Sequence, residues 1–139
     1  MHTTANQDPQ DRVTVFGSRA QSRALRTTLG RFPTGVTVLT TVYRGTPVGV
    51  TVNSFTSVSL DPPLILWCLR TTSASRDAFT TAPHFAVNIL AAHQADLATR
   101  FATPGDRFQT TPTRLGPNRL PLLDDTAATL ICRRHNLIP

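Results

Sequence analysis

The sequence predicts a mainly β domain with flanking helices, its sheet antiparallel. Three observations carry this. Four strand-like runs fall between Val36 and Leu69 with only short turns between them, whereas an all-parallel sheet needs a helix in each connection. Helical periodicity is confined to short stretches around them. With 139 residues and a 40% apolar fraction, the chain makes one domain with a real core.

In order, residues 1–18 are polar, with an Asp-Pro and no sustained period, and are expected to be a flexible arm; residues 19–139 are the domain. Ala20–Phe32 places Ala24, Leu25, Leu29 and Phe32 at helical spacing and stops at Gly30 or before Pro33. Val36–Tyr43 is rich in β-branched residues, a strand by composition. Arg44-Gly45-Thr46-Pro47 reads as a hairpin-type loop. Val48, Val50 and Val52 then alternate with Gly49, Thr51 and Asn53, the period of a strand. Leu64–Leu69 is a further apolar strand. Ser73 or Ser75 is placed to cap a short helix through Phe79. His84–Leu90 alternates Phe85, Val87 and Ile89 as a strand, and Ala91–Phe101 follows as a helix. Thr103–Pro121 holds four prolines and is expected to be a long loop; Thr126–Cys132 is a strand.

The stretch Gly49–Pro63 organises the rest. After Val52 it becomes a run of hydroxyl and amide side chains around Phe55 and Val58, and it ends at Asp61-Pro62-Pro63, where two backbone donors are missing and the chain must turn. Polar groups between buried strands are costly unless hydrogen-bonded. Turn chemistry on the solvent face of a sheet explains them; so does a polar ledge for a ligand rich in oxygen and nitrogen. Composition leaves both open.

All 14 basic residues are arginine, all 8 acidic ones are aspartate, and the net charge is +6. The arginines are scattered from Arg12 to Arg134 without a basic run. That argues against nucleic acid and for a dispersed positive surface facing anionic small molecules. Nothing near the start looks like a signal peptide, since Met1 to Gln10 is polar, and no apolar run reaches membrane-spanning length, so a cytoplasmic protein is expected, without a membrane partner. Cys68 and Cys132 have no CxxC spacing and read as small buried hydrophobes. The four histidines lack metal-ligand spacing, so no metal site is expected. There is no GxSxG elbow, GxGxxG or Walker loop, and no catalytic residue can be named.

Several collinear blocks resemble one family. Phe32-Pro33-Thr34-Gly35-Val36-Thr37-Val38, then Pro47 through Ile65, then Ser73–Phe79, Phe85–Leu90, Gln94 and Arg100-Phe101-Ala102 are similar, in order and spacing, to the short-chain flavin reductases. The resemblance covers about Ser22 to Cys132. It implies the antiparallel FMN-binding split barrel and an NAD(P)H:flavin oxidoreductase. Such an enzyme uses NADH or NADPH to reduce FMN or FAD, commonly for a separate flavin-dependent monooxygenase, and works as a homodimer. The cofactor carries the hydride chemistry, so the protein needs only to bind, orient and shield.

The resemblance further implies cofactor-binding roles. Asn53 and Ser54 face the flavin edge or ribityl chain, and Cys68, Leu69 and Arg70 line it with backbone groups. Ala74 and Ser75 hold ribityl or phosphate oxygens at a helix start. Arg100 supplies charge for the phosphate, with Phe101 beside it; the alternative for Arg100 is a solvated helix-end arginine. Pro47, Val48, Gly49, Val50 and Thr51 form the nicotinamide side. The family carries a Gly-Asp-His motif and further strands beyond the segment matching Thr129–Cys132. Because none is found before Pro139, the chain is expected to be truncated at its C-terminus and its barrel incomplete. A flavin-binding module without turnover is therefore the alternative function, with a basic nucleic-acid-binding domain, suggested by charge alone, behind it.

Overall fold

A computed structural model describes residues 25–139. The predicted arm, and the first part of the predicted Ala20–Phe32 helix, lie outside the described residues. The chain divides into two units, residues 1–34 and residues 35–139. In the first, residues 25–29 are helical (α1), and Gly30 closes the turn by donating to the Arg26 carbonyl at 2.9 Å. The predicted glycine stop is where the described helix ends.

The second unit is built on a four-stranded antiparallel sheet in the order β2-β1-β5-β8. Its strands are β1 (Thr37–Tyr43), β2 (Thr46–Val52), β5 (His84–Ile89) and β8 (Ala128–Arg133). β1 and β2 pair in full register from Thr37↔Val52 to Tyr43↔Thr46. Only Arg44 and Gly45 are left to turn, at φ of 51° and 79°; glycine adopts that conformation without strain, and two such residues match the twist of a hairpin. Two further hairpins are β3 (Thr56–Leu60) with β4 (Pro63–Leu66), and β6 (Thr113–Leu115) with β7 (Pro121–Leu123). The helices are α2 (Arg76–Thr81) and α3 (Ala95–Ala102).

The two inner strands are buried on both faces, which separates two cores. On one face Leu39, Val52, Phe79, Phe85 and Val87 pack together, with Trp67 edge-on to Phe79 and Phe85 at 5.2 and 5.7 Å. On the other, Val38, Leu97, Phe101 and Leu123 form a second cluster. Polar residues on the inner strands are satisfied internally. Asn88, fully buried, donates to the Val38 carbonyl and the Thr40 hydroxyl and accepts from the Leu123 amide. Thr37 and Thr41 donate to the carbonyls of Val52 and His84. No buried polar side-chain atom among the described residues lacks a partner.

Four elements depart from expectation. Thr46 and Pro47, expected in the hairpin loop, pair with Tyr43 and Val42 and begin β2. Residues 91–94 form a turn and α3 begins only at Ala95, because the buried Gln94 side chain accepts from the Ala91 amide and donates to the Asp124 carbonyl, which anchors the turn. The expected Thr103–Pro121 loop contains β6, and β7 begins at Pro121, a short hairpin that brings Leu122 and Leu123 into the core. Leu64–Leu69 is a strand only as far as Leu66; Trp67–Leu69 leaves the ladder.

Candidate functional site

Where β2 ends and the chain leaves β4, a cleft of about 750 Å³ opens, within the range of small-molecule sites. The polar stretch after Val52 splits in two here. Thr56, Ser57 and Ser59 belong to β3, their side chains outside the cleft, while Asn53 and Ser54 form its rim. Ser54 is fixed by an exchange with Cys68: its hydroxyl donates to the Cys68 carbonyl at 3.2 Å and accepts from the Cys68 amide at 2.9 Å. This pairing carries the chain from β4 to the cleft wall after the ladder has ended, so Cys68, Leu69 and Arg70 line the cleft beside Asn53 and Ser54.

Ala74 and Ser75 close a second side at the start of α2. The expected serine cap is absent: neither serine side chain bonds a first-turn helix amide. The Ser73 hydroxyl instead accepts from the Ser75 amide at 3.2 Å, which holds the bend ahead of the helix. Val50 and Thr51 reach the cleft from β2, the Thr51 hydroxyl donating to the Ala98 carbonyl at 2.7 Å and so tying β2 to α3.

Four of the residues implied for the site stand elsewhere. Pro47 and Val48 lie further back on β2, outside the cleft. Gly49 is buried, and a Cβ there would meet Phe101 Cε1 at 2.5 Å and Phe108 Cζ at 3.1 Å; it is glycine because aromatic rings pack on it. Arg100 turns away from the cleft and donates to the Thr111 hydroxyl and the Thr110 carbonyl at 2.9 and 3.2 Å, with Asp96 at 3.9 Å. Phe101 borders the cleft, yet it is fully buried and forms its floor from within the core.

Residues that the sequence reading left out complete the cleft: Thr72 and Ser73 before α2, and Pro104, Gly105 and Arg107 after α3. The signal for Arg107 was Asp106-Arg107-Phe108, a charged and aromatic triplet inside a segment set aside as loop. Among the described residues, the charged ones lining the cleft are Arg70 and Arg107, without a carboxylate. Cys68 is exposed here, contrary to the expected burial, because the chain has left the sheet. Cys132, on β8, is half-buried against the first core cluster, and burial pushes its thiol pKa up. No cluster of metal-ligating side chains occurs among the described residues.

The model of the flavin reductase like domain matches residues 29–139. The chain belongs to the flavin reductase like domain family. It is 48% identical over 118 residues to the stachydrine N-demethylase reductase subunit of Rhizobium meliloti, a match covering 84% of this chain and 51% of that protein. It is 43% identical over 126 residues to an FMN reductase (NADH) of Agrobacterium fabrum, covering 91% of this chain and 72% of that one. The solved NADH:FAD oxidoreductase of Streptomyces globisporus, in complex with NAD and FAD fragments, superimposes with a TM-score of 0.81 at 39% identity, over 90% of this chain and 76% of that one. The fold is thus the split barrel of the flavin reductases. The chain spans about half the length of the first of these relatives.

Within this family the cleft fits a flavin. Its rim offers the Asn53 amide and the ordered Ser54–Cys68 pair to a heteroaromatic edge, Val50 and Leu69 supply apolar wall, and Arg70 and Arg107 supply charge opposite to a phosphate.

Proposed function

We propose that this chain is an NAD(P)H:flavin oxidoreductase that reduces free FMN or FAD and releases it to a separate monooxygenase. The observation that carries this is the cleft of a flavin reductase family member, walled by hydroxyl, amide and backbone groups and two arginines. The relatives support it: their names describe an NADH-dependent FMN reductase, an NADH:FAD oxidoreductase and the reductase subunit of a demethylase.

When bound, the flavin supplies the hydride-accepting chemistry, so the residues here bind, orient and exclude water. Asn53 and Ser54 hold the flavin edge, and the Cys68–Arg70 segment lines it. Ala74 and Ser75 take the ribityl side. Val50 and Thr51, fixed to α3 through the Ala98 carbonyl, form the platform on the nicotinamide side. Holding two reactants stacked replaces a bimolecular encounter with an oriented one.

A homodimer is part of the proposal. The β3–β4 hairpin, beside the cleft rim, exposes Val58, Leu60 (91%) and Leu66, a concentration of apolar surface suited to a second copy. Among the described residues no helix is long and apolar enough to cross a membrane, which agrees with work in the cytoplasm, where reduced nicotinamide is supplied. The test is oxidation of NADH and NADPH by the purified chain with FMN and with FAD. Flavin-dependent consumption above the flavin-free control is expected. Flavin binding without consumption would leave only a binding module, and absence of both would end the reading. Light scattering during gel filtration reads the dimer.

A further inference from the structure

We propose that Arg107 is the residue that recognises a phosphate group of the nucleotide in this cleft, the role the family pattern suggested for Arg100. The inference rests on the reading that the cleft binds flavin and nicotinamide nucleotides.

Arg107 is held from both ends of its guanidinium. Nε donates to the Thr103 carbonyl at 2.8 Å and Nη1 to the Gly49 carbonyl at 2.5 Å. The Asp106 carboxylate orders the turn that aims it, accepting from the amides of Phe108 and Gln109 at 3.1 Å each. The side chain is half-buried and lines the cleft together with Val50, Thr51 and Asn53.

A guanidinium carries five N–H donors in a rigid fork. Two are used here, which leaves three without a partner among the described residues, on a side chain that lines the cleft. Nor is the charge neutralised by an ion pair among the described residues. Asp106 is committed to its own turn, no carboxylate among the described residues lines the cleft, and the ion pair seen among them joins Arg100 to Asp96. A fixed, half-buried guanidinium with unspent donors in its planar fork suits two oxygens of a phosphate. Its rotamers are ordered before the ligand arrives, so binding loses little side-chain entropy. Neither other arginine offers this. Arg70 is exposed, and its side chain is anchored to nothing among the described residues. Arg100 has its Nη1 committed to residues 110 and 111, outside the cleft.

The phosphate can belong to the flavin or to the nicotinamide nucleotide, and phosphate-free counterparts separate the two. With the full chain, fluorescence titrations of riboflavin, FMN and FAD are compared for wild type, Arg107→Gln and Arg107→Lys. KM values are compared for NADH and for a phosphate-free N-alkyl dihydronicotinamide. In Arg107→Gln, one phosphate-bearing ligand is expected to weaken about tenfold or more while its phosphate-free counterpart stays within about twofold, as loss of a charged hydrogen-bond pair implies. Arg107→Lys, keeping charge without the fork, is expected to recover part of the loss. Equal losses for both kinds of ligand would make Arg107 a loop staple and overturn the proposal, as would no loss for either. Should Arg107→Gln fail to fold, the wild type decides: at least one phosphate-bearing ligand must bind more tightly than its counterpart and lose that advantage as salt rises, and if neither does, the proposal falls. Riboflavin binding without any phosphate advantage would remove the role of Arg107 alone, whereas binding of no flavin at all would remove the functional reading with it.

Discussion

Gly49→Ala separates a packing role for this glycine from a direct ligand role. The added methyl would sit 2.5 Å from Phe101 Cε1 and 3.1 Å from Phe108 Cζ, about 1 Å inside ordinary carbon–carbon contact at the first atom. Phe101 cannot swing aside. It is fully buried among Val38, Leu97 and Leu123, and Phe108 meets it edge-on at 5.1 Å. Overpacking a closed site of this kind costs about 1–3 kcal/mol. Alanine recovers about 0.5 kcal/mol through lower chain entropy in the unfolded state. The net is about 0.5–2.5 kcal/mol, or roughly 2–10 °C in Tm for a domain of this size. Chemical and thermal denaturation of Gly49→Ala, Phe101→Leu and the double variant measure it. The smaller leucine makes room, so the double variant is expected to be more stable than the sum of the single losses allows, by about 1 kcal/mol or more. If Gly49→Ala melts within experimental error of wild type, or the two losses simply add, the packing argument is refuted.

Asn88→Ala removes the acceptor of the Leu123 amide and the donor to the Val38 carbonyl and the Thr40 hydroxyl at a fully buried site; a loss of about 2–4 kcal/mol is expected in urea denaturation, and a loss under 1 kcal/mol would mean that water or a shifted Thr40 satisfies those groups. Ser54→Ala cuts the bonds to both backbone groups of Cys68 at an exposed rim, so flavin affinity should fall several-fold while Tm moves by no more than about 2 °C, read by fluorescence titration and calorimetry. Cys68, exposed, should react with an aromatic disulfide ahead of half-buried Cys132, and single Cys→Ser variants assign the two phases. Burial raises the Cys132 pKa in the folded state, so above the ordinary thiol value of about 8.5 the unfolded chain binds fewer protons than the folded one. Stability should therefore fall as pH rises past that value, and this slope should be absent in Cys132→Ser.

Much of the fold was legible because the strand signals are local. β1 and β5 lie within the β-branched and alternating runs that predicted them, β2 starts two residues ahead of its run and β8 ends one residue beyond, since burial on a pleated surface leaves a direct mark on composition. The β6–β7 hairpin left no such mark: its three-residue strands flank Pro117 and are held by where Leu120, Leu122 and Leu123 dock. The late start of α3 is likewise decided by the reach of the Gln94 side chain to the Asp124 carbonyl, thirty residues away.

By itself, the sequence determined the antiparallel β class, the family, and the rim of the cleft from Asn53 to Ser75, because each is a matter of local pattern or collinear blocks. The tertiary structure decided which residues of those blocks line the cleft. It turned Arg100 outward to the 110–111 segment, placed Gly49 under Phe101, and brought Arg107 from across the loop to the Gly49 carbonyl. Those outcomes depend on how α3 and its following loop pack on β2, a contact between segments some fifty residues apart that no local spacing encodes.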